Sequence, residues 1–129
     1  MNPMPRILIV DDEKPITTLL AQTFEQEGFQ VSLASNGIDC MNRMANFRPH
    51  VVIMDIMMPK LDGVDTTRLI RRNTAYAGTL IVALSAKSDE ETRARMKAAG
   101  ANLFMRKPFS IAKLVDRVGR MLEARSNAS

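Results

Sequence analysis

The sequence predicts an α/β fold built on a doubly wound, five-stranded parallel sheet. Short runs rich in Ile, Val and Leu alternate five times with longer segments of helical period. The connections between them are short. The first, third and fourth runs are almost wholly apolar, as strands are when helices cover both faces of a sheet.

The elements follow in order. "RILIV" from Arg6 is the first strand, and "PITTLLAQTFEQEG" the first helix. Pro15 suits an early helical position and Gly28 a stop, while Ile16, Leu19, Leu20, Thr23 and Phe24 fall on one side. "QVSLA" from Gln30 precedes the helix "GIDCMNRMANF". "VVIMD" from Val51 leads to "GVDTTRLIRRN" through "IMMPKLDG", where Pro59 and Gly63 predict a turn before the helix begins. "TLIVALS" from Thr79 leads to "DEETRARMKAAG", stopped by Gly100. "NLFMR" from Asn102 leads to "SIAKLVDRVGRMLEAR", capped by Ser110. The second and fifth strands are more polar and belong near the edges. Right-handed crossovers then give a flavodoxin-like (βα)5 sheet in the order 2-1-3-4-5, an order that periodicity alone does not fix.

The 129 residues fit one domain, with a core over 5–124 and the small, polar "RSNAS" at 125–129 read as a tail or the start of a linker. A hydrophobic fraction of 46% with 25% charged residues is ordinary for a globular protein, and no apolar run approaches the roughly 18 residues of a membrane span. "MNPMPR" carries no secretory pattern, so a cytoplasmic location is expected. The single cysteine, Cys40, has apolar neighbours at helical spacing and reads as a packing residue. Eighteen Lys and Arg against 14 Asp and Glu give a net charge of +4, spread as solvated helix faces. All five helices are consumed in covering the sheet, so this chain is expected to contact neither nucleic acid nor membrane directly.

In "ILIVDDEK" a strand made for burial closes on Asp11, Asp12 and Glu13. Adjacent carboxylates repel one another and hold their water, so a cation is expected beside them. Ligands of open parallel sheets bind at the carboxyl ends of the strands. The third strand ends there at Asp55, the fourth at Ser85, and the fifth delivers Lys107 in "MRKPF". Hard oxygen ligands without Cys or His suit Mg²⁺ or Mn²⁺ and not zinc. A carboxylate beside such an ion can attack a phosphoryl group, with Lys107 neutralising oxygen charge and Ser85 donating a hydrogen bond. Each residue alone has a plainer reading: "DDE" as a helix start, Asp55 as a loop acid, Lys107 as a solvated cation, Ser85 as a cap. Their joint placement favours the chemical one.

With "VDDE", "DIMMPKLDG", "ALSAK" and "GANLFMRKPF" in that order, the sequence resembles, over essentially its whole length, the receiver domains of two-component response regulators. The resemblance implies that Asp55 is the phosphoacceptor. Asp11 and Asp12 would be the acidic pair, with Asp12 the direct metal ligand and Met57 adding its backbone carbonyl. Lys107 would be the charge-neutralising lysine, ahead of a cis Lys107–Pro108 peptide. Ser85 would be the switch hydroxyl and Phe104 the switch aromatic. It further implies Mg²⁺, with Mn²⁺ as an alternative, and phosphoryl transfer from a sensor histidine kinase or histidine phosphotransfer protein. Ser85 would move inward, Phe104 would rotate, and the face of helix 4, strand 5 and helix 5 would change. Arg93, Arg95, Lys97, Phe104, Lys113 and Arg117 lie on or near that face, which admits either an acidic downstream partner or a homodimer. Such a domain is a switch that catalyses only its own phosphorylation and slow dephosphorylation.

Two other functions compete. An aspartate-dependent phosphohydrolase would use the same ion and an aspartyl phosphate, but carries a second Asp where this chain has Met57. A receiver that binds partners without phosphate would lack a key acid or the lysine, and none is missing. His50 stands where the family commonly has an acid after proline, at the opposite end of the strand from the site, and is assigned no role. Met57 and Lys87 are expected to flank the phosphate and hinder an attacking water.

Overall fold

The computed structural model describes residues 4–57, 62–86 and 90–127. Ten main elements alternate: β1 (Arg6–Val10), α1 (Lys14–Gln26), β2 (Gln30–Ala34), α2 (Gly37–Phe47), β3 (Val51–Asp55), α3 (Gly63–Arg72), β4 (Leu80–Ser85), α4 (Glu90–Ala99), β5 (Leu103–Arg106) and α5 (Ile111–Asn127). A short 3₁₀ turn over Thr74–Tyr76 joins α3 to β4. The strands are parallel and ordered β2-β1-β3-β4-β5, so the two more polar strands do form the edges.

Side chains of successive strand residues point to opposite faces, and the core divides accordingly. Ile7 and Ile9 of β1 join Val51 and Ile53 of β3 in one layer, packed on Leu20 and Phe24 of α1 and Leu114 and Val118 of α5. Leu8, Val10, Val52 and Met54 form the other, against Cys40 and Met44 of α2 and Ile70 of α3. A third cluster, Ile56, Val64, Ala83, Met96 and Ala99, seats α4. Cys40 is fully buried, and that burial, followed by Asp39 beside it, pushes its thiol up to about 12, an inert packing residue.

Local expectations change at several points. The buried stripe of α1 is Thr17, Leu20 and Phe24, whereas Leu19, one residue and about 100° away from Leu20, is 50% exposed. It lines a shallow apolar depression with Ile16, Pro108, Phe109 and Ile111. Strand β5 begins one residue later than the pattern suggests. There the Ile81 N–H donates to the Asn102 side-chain Oδ1 at 2.8 Å, so a side chain replaces the main-chain acceptor at the start of the ladder. Gly63 does not act as a turn residue. It is the first residue of α3, pressed against the backbone of Asp55 and Ile56. Pro59 and Lys87 lie outside the described residues. Helix α5 runs on through Asn127, into the segment expected to fray.

Candidate functional site

Strands β1, β3 and β4 are buried up to their last residues, whereas β5, which leads to Lys107, is half-buried and ends on the exposed Arg106. Asp11 follows β1 directly, and its N–H donates to the Ala34 carbonyl of β2 at 3.1 Å, so the backbone remains in the sheet while the side chain leaves it. Its Oδ1 accepts from the Glu13 N–H at 2.9 Å, which fixes the carboxylate against the start of α1. Asp55 closes β3 and is paired in register with Leu84. The Ile56 N–H donates to the Leu84 carbonyl at 2.9 Å, which holds the chain beside β4 just past that carboxylate. Ser85, fully buried, ends β4, and its carbonyl accepts from the Lys107 N–H at 2.7 Å. The Lys107–Pro108 peptide that follows is cis.

These backbone ties bring four groups of distant sequence position together. The Lys107 ammonium stands 3.3 Å from Asp11 Oδ2, 3.5 Å from Asp55 Oδ1 and 3.7 Å from Glu13 Oε1. Asp55 Oδ1 also accepts from the Met57 N–H at 3.3 Å. Asp11 and Asp55 are buried, at 4% and 3% exposure, while Asp12 and Glu13 face solvent. One carboxylate oxygen from each of Asp11, Asp12, Glu13 and Asp55 lies within 4.8 Å of the others, a set that could hold a metal ion. Glu13 is the member that the sequence reading left out of the candidate residues. The signal is present in "DDEK", but the preference of acidic residues for a helix start gives it a plainer reading, and Glu13 is indeed the N-terminal cap residue of α1, without a side-chain capping bond.

The electrostatics follow from burial. Desolvation, and after it the Asp11 carboxylate, push the Asp55 carboxyl up to about 7 against the pull of Lys107 and the Met57 N–H. Burial also works against the charge of Lys107, but Asp55 and Asp11 outweigh it and its pKa is raised. One ammonium therefore does not neutralise this cluster, and the donor set is all hard oxygen, so the residues fit a divalent cation of the Mg²⁺ type. Phe104 lies away from this cluster, half-buried on β5, with the Arg93 guanidinium 5.7 Å from its ring centroid.

A five-stranded parallel α/β domain with an acidic cluster and a lysine at the carboxyl edge of its sheet is the architecture of a phosphoryl-accepting signalling domain. The match of residues 7–119 to the response regulator receiver domain model agrees, and the chain belongs to that family. Its function is a phosphorylation switch in two-component signalling. The chain is 31% identical to protein PilG of Pseudomonas aeruginosa, over 88% of this chain and 84% of that one. It is 34% identical to the transcriptional regulatory protein TrcR of Mycobacterium tuberculosis, over 95% of this chain and 47% of that one. The chemotaxis protein CheY4 of Vibrio cholerae superposes with a TM-score of 0.86 at 28% identity, covering 91% of this chain and 98% of that one. The chain spans about half the length of many of the curated relatives it matches, TrcR among them. No described helix is long and apolar enough to cross a membrane.

Proposed function

We propose that Asp55 is the phosphoacceptor of this domain and that Mg²⁺ is held beside it by Asp11 and Asp12, with the Met57 backbone carbonyl as a further ligand. The observation that carries the reading is the approach of the Lys107 ammonium to within 3.5 Å of both Asp11 and Asp55, two buried carboxylates at the ends of β1 and β3. When bound, the ion supplies Lewis-acid neutralisation of the phosphoryl oxygens. An Asp55 carboxylate oxygen attacks phosphorus, the bond from phosphorus to the donor's imidazole nitrogen breaks, and an acyl phosphate forms on Asp55. Lys107 contributes a fixed positive charge within reach of the transferred group. Ser85, at the end of the adjacent strand, is the hydroxyl that meets the phosphoryl group, and Phe104 is the aromatic whose rotation carries the change outward.

The donor on this reading is a sensor histidine kinase or a histidine phosphotransfer protein, acting in the cytoplasm. The signal leaves through the face of α4, β5 and α5 to a downstream partner or a second copy. The domain turns over nothing but its own phosphate. Met57, 56% exposed two residues after Asp55, offers no carboxylate for the acid–base step of a phosphohydrolase.

Intact mass after incubation with Mg²⁺ and acetyl phosphate tests the assignment. A single phosphate adduct on the wild type and none on Asp55→Asn is the expected result. An adduct of equal yield on Asp55→Asn overturns it.

A further inference from the structure

A second cluster of charge lies at the opposite pole of the sheet, where His50 precedes β3 and Thr79 precedes β4. A cavity of about 260 Å³ opens there, lined by Arg48, Pro49, His50, Tyr76, Gly78, Thr79 and Arg125, with Ala75 at its edge. The five residues of β3 at about 3.3 Å each place it roughly 17 Å from Asp55, so it is no part of the site above.

The walls of this cavity are held by two other arginines. Arg6 Nε donates to the carbonyls of Phe47 and Arg48, each at 2.9 Å, which pins the loop after α2. Arg71 donates to the carbonyls of Gly100 and Tyr76, both at 3.0 Å, and to Asn102 Oδ1 at 2.9 Å, which pins the turn before β4. Arg48 and Arg125 are different. Among the described residues neither has a carboxylate within 4.0 Å, nor a side-chain hydrogen bond. Elsewhere Arg43, Arg68 and Arg120 each pair with an acid of their own helix.

The placement of the two free arginines is specific. Arg48 ends α2 as its left-handed C-cap, with φ at 52° and its N–H donating to the Met44 carbonyl, which fixes where its side chain leaves the backbone beside Pro49 and His50. The Arg125 guanidinium lies over Gly78, and a β-carbon at that position would overlap it. His50 Nδ1 accepts from the Arg6 N–H at 2.9 Å, so the neutral ring carries its proton on Nε2 and is a donor there. Burial, then Arg6 and Arg125, lower the His50 pKa; burial, then Arg125, lower that of Arg71. Arg6, Arg71, Arg125 and His50 thus share one pole, with Arg48 on the wall of the same cavity and, among the described residues, no acid paired to any of the arginines, an arrangement whose repulsion an anion relieves.

We propose that this cavity binds a phosphate group, free or as a small phosphomonoester, between the guanidinium groups of Arg48 and Arg125, with His50 on its wall. Guanidinium forks match phosphate oxygens in geometry and charge. The volume falls short of the roughly 300 Å³ at which pockets begin to enclose drug-sized ligands, which limits any organic part to a few atoms. The inference stands apart from the phosphoacceptor assignment, since none of its residues is shared.

The test uses the full chain in EDTA at constant ionic strength, titrated with inorganic phosphate and separately with glycerol phosphate. Binding is followed by calorimetry and by amide chemical shifts. Saturable binding that perturbs residues 48–50 and 76–79 is expected, tighter for the ester if an organic part is the natural source and equal for both if free phosphate is. Arg125→Gln and Arg48→Asn, the latter chosen because Asn tolerates positive φ, should each weaken binding about tenfold or more. Asp55→Asn should bind as the wild type does. A response reproduced by sodium chloride, unweakened binding in both arginine variants, or loss of binding in Asp55→Asn overturns the proposal.

Discussion

Gly63 lies so close to the backbone of Asp55 that a β-carbon on it would stand 2.6 Å from the Asp55 carbonyl oxygen and 2.7 Å from the Ile56 α-carbon. Its own N–H donates to the Ile56 carbonyl at 3.0 Å. The first turn of α3 is therefore packed directly on the segment that carries the candidate phosphoacceptor. Gly63→Ala has no flexible side chain to displace and must move backbone. The expected cost is about 1–3 kcal/mol, the range of overpacked cores, together with slower phosphorylation as Asp55 shifts. Denaturant midpoints and the rate of adduct formation measure the two effects, and a variant that matches the wild type in both would show that the close approach constrains nothing.

The raised pKa of Asp55 has a consequence for stability. The folded value, about 7, lies above the unfolded value of about 3.9, so the folded state binds more protons between them. The contribution is fully present below pH 4 and is lost as pH rises through 7. At pH 7.5 without divalent cations, Asp55→Asn should be the more stable protein, by up to about 4 kcal/mol for a shift of this size, and its thermal midpoint the higher one. The gap should narrow towards pH 4.5, and Mg²⁺ should raise the midpoint of the wild type more than that of the variant. Melting curves of the two proteins in EDTA that stay parallel from pH 4.5 to 8 would contradict the assignment of the strain to Asp55.

Arg71 joins three segments that no regular element connects: it reaches the carbonyls of Gly100 and Tyr76 and the side chain of Asn102. Asn102 Oδ1 in turn accepts the Ile81 N–H at 2.8 Å, so the arginine orients the acceptor that starts the β4–β5 ladder. Arg71→Ala should destabilise the domain by about 2–3 kcal/mol, because hydrogen bonds from a charged group are lost and partly buried acceptors are left unpaired. Arg71→Lys keeps the charge without the planar fork and should recover less than half of that. Full recovery by lysine, read from urea midpoints, would mean that charge alone holds the joint.

The fold was legible because its periodicity is strong. Ile7 and Ile9 against Leu8 and Val10 split between two layers as alternation requires, and helix α2 spans the residues of "GIDCMNRMANF" without a shift. The caps of α2 and α3 were also written in the chain, as Asn36 accepting from the Asp39 N–H at 2.8 Å and Asp62 from the Asp65 N–H at 2.9 Å. At the site, the rule that strands deliver side chains at their carboxyl ends gathered Asp11, Asp55 and Lys107 from three places in the sequence. Glu13 and Gly63 escaped because their roles are contacts across space. A carboxylate 3.7 Å from Lys107 and a glycine pressed against another strand's end leave no periodic trace. The Arg71 joint and the arginines around His50 escaped for the same reason, each resting on loops far apart in sequence.

Adjacent residues of α3 offer a last test of how hydrogen bonding decides the worth of a buried hydroxyl. Thr66 and Thr67 are both fully buried. Thr66 Oγ1 donates to the Asp62 carbonyl at 2.7 Å, whereas Thr67 Oγ1 has no partner among the described residues. Burying an unpaired hydroxyl costs free energy that an apolar group of the same shape avoids. Valine has that shape and nearly the same helix propensity, so the backbone terms cancel. Thr67→Val should therefore stabilise the domain by about 1 kcal/mol, while Thr66→Val should be neutral or destabilising by a similar amount. Urea denaturation with unchanged m-values checks both. If Thr67→Val destabilises as much as Thr66→Val, the Thr67 hydroxyl is satisfied in solution, and α3 sits differently over β3 from the packing described above.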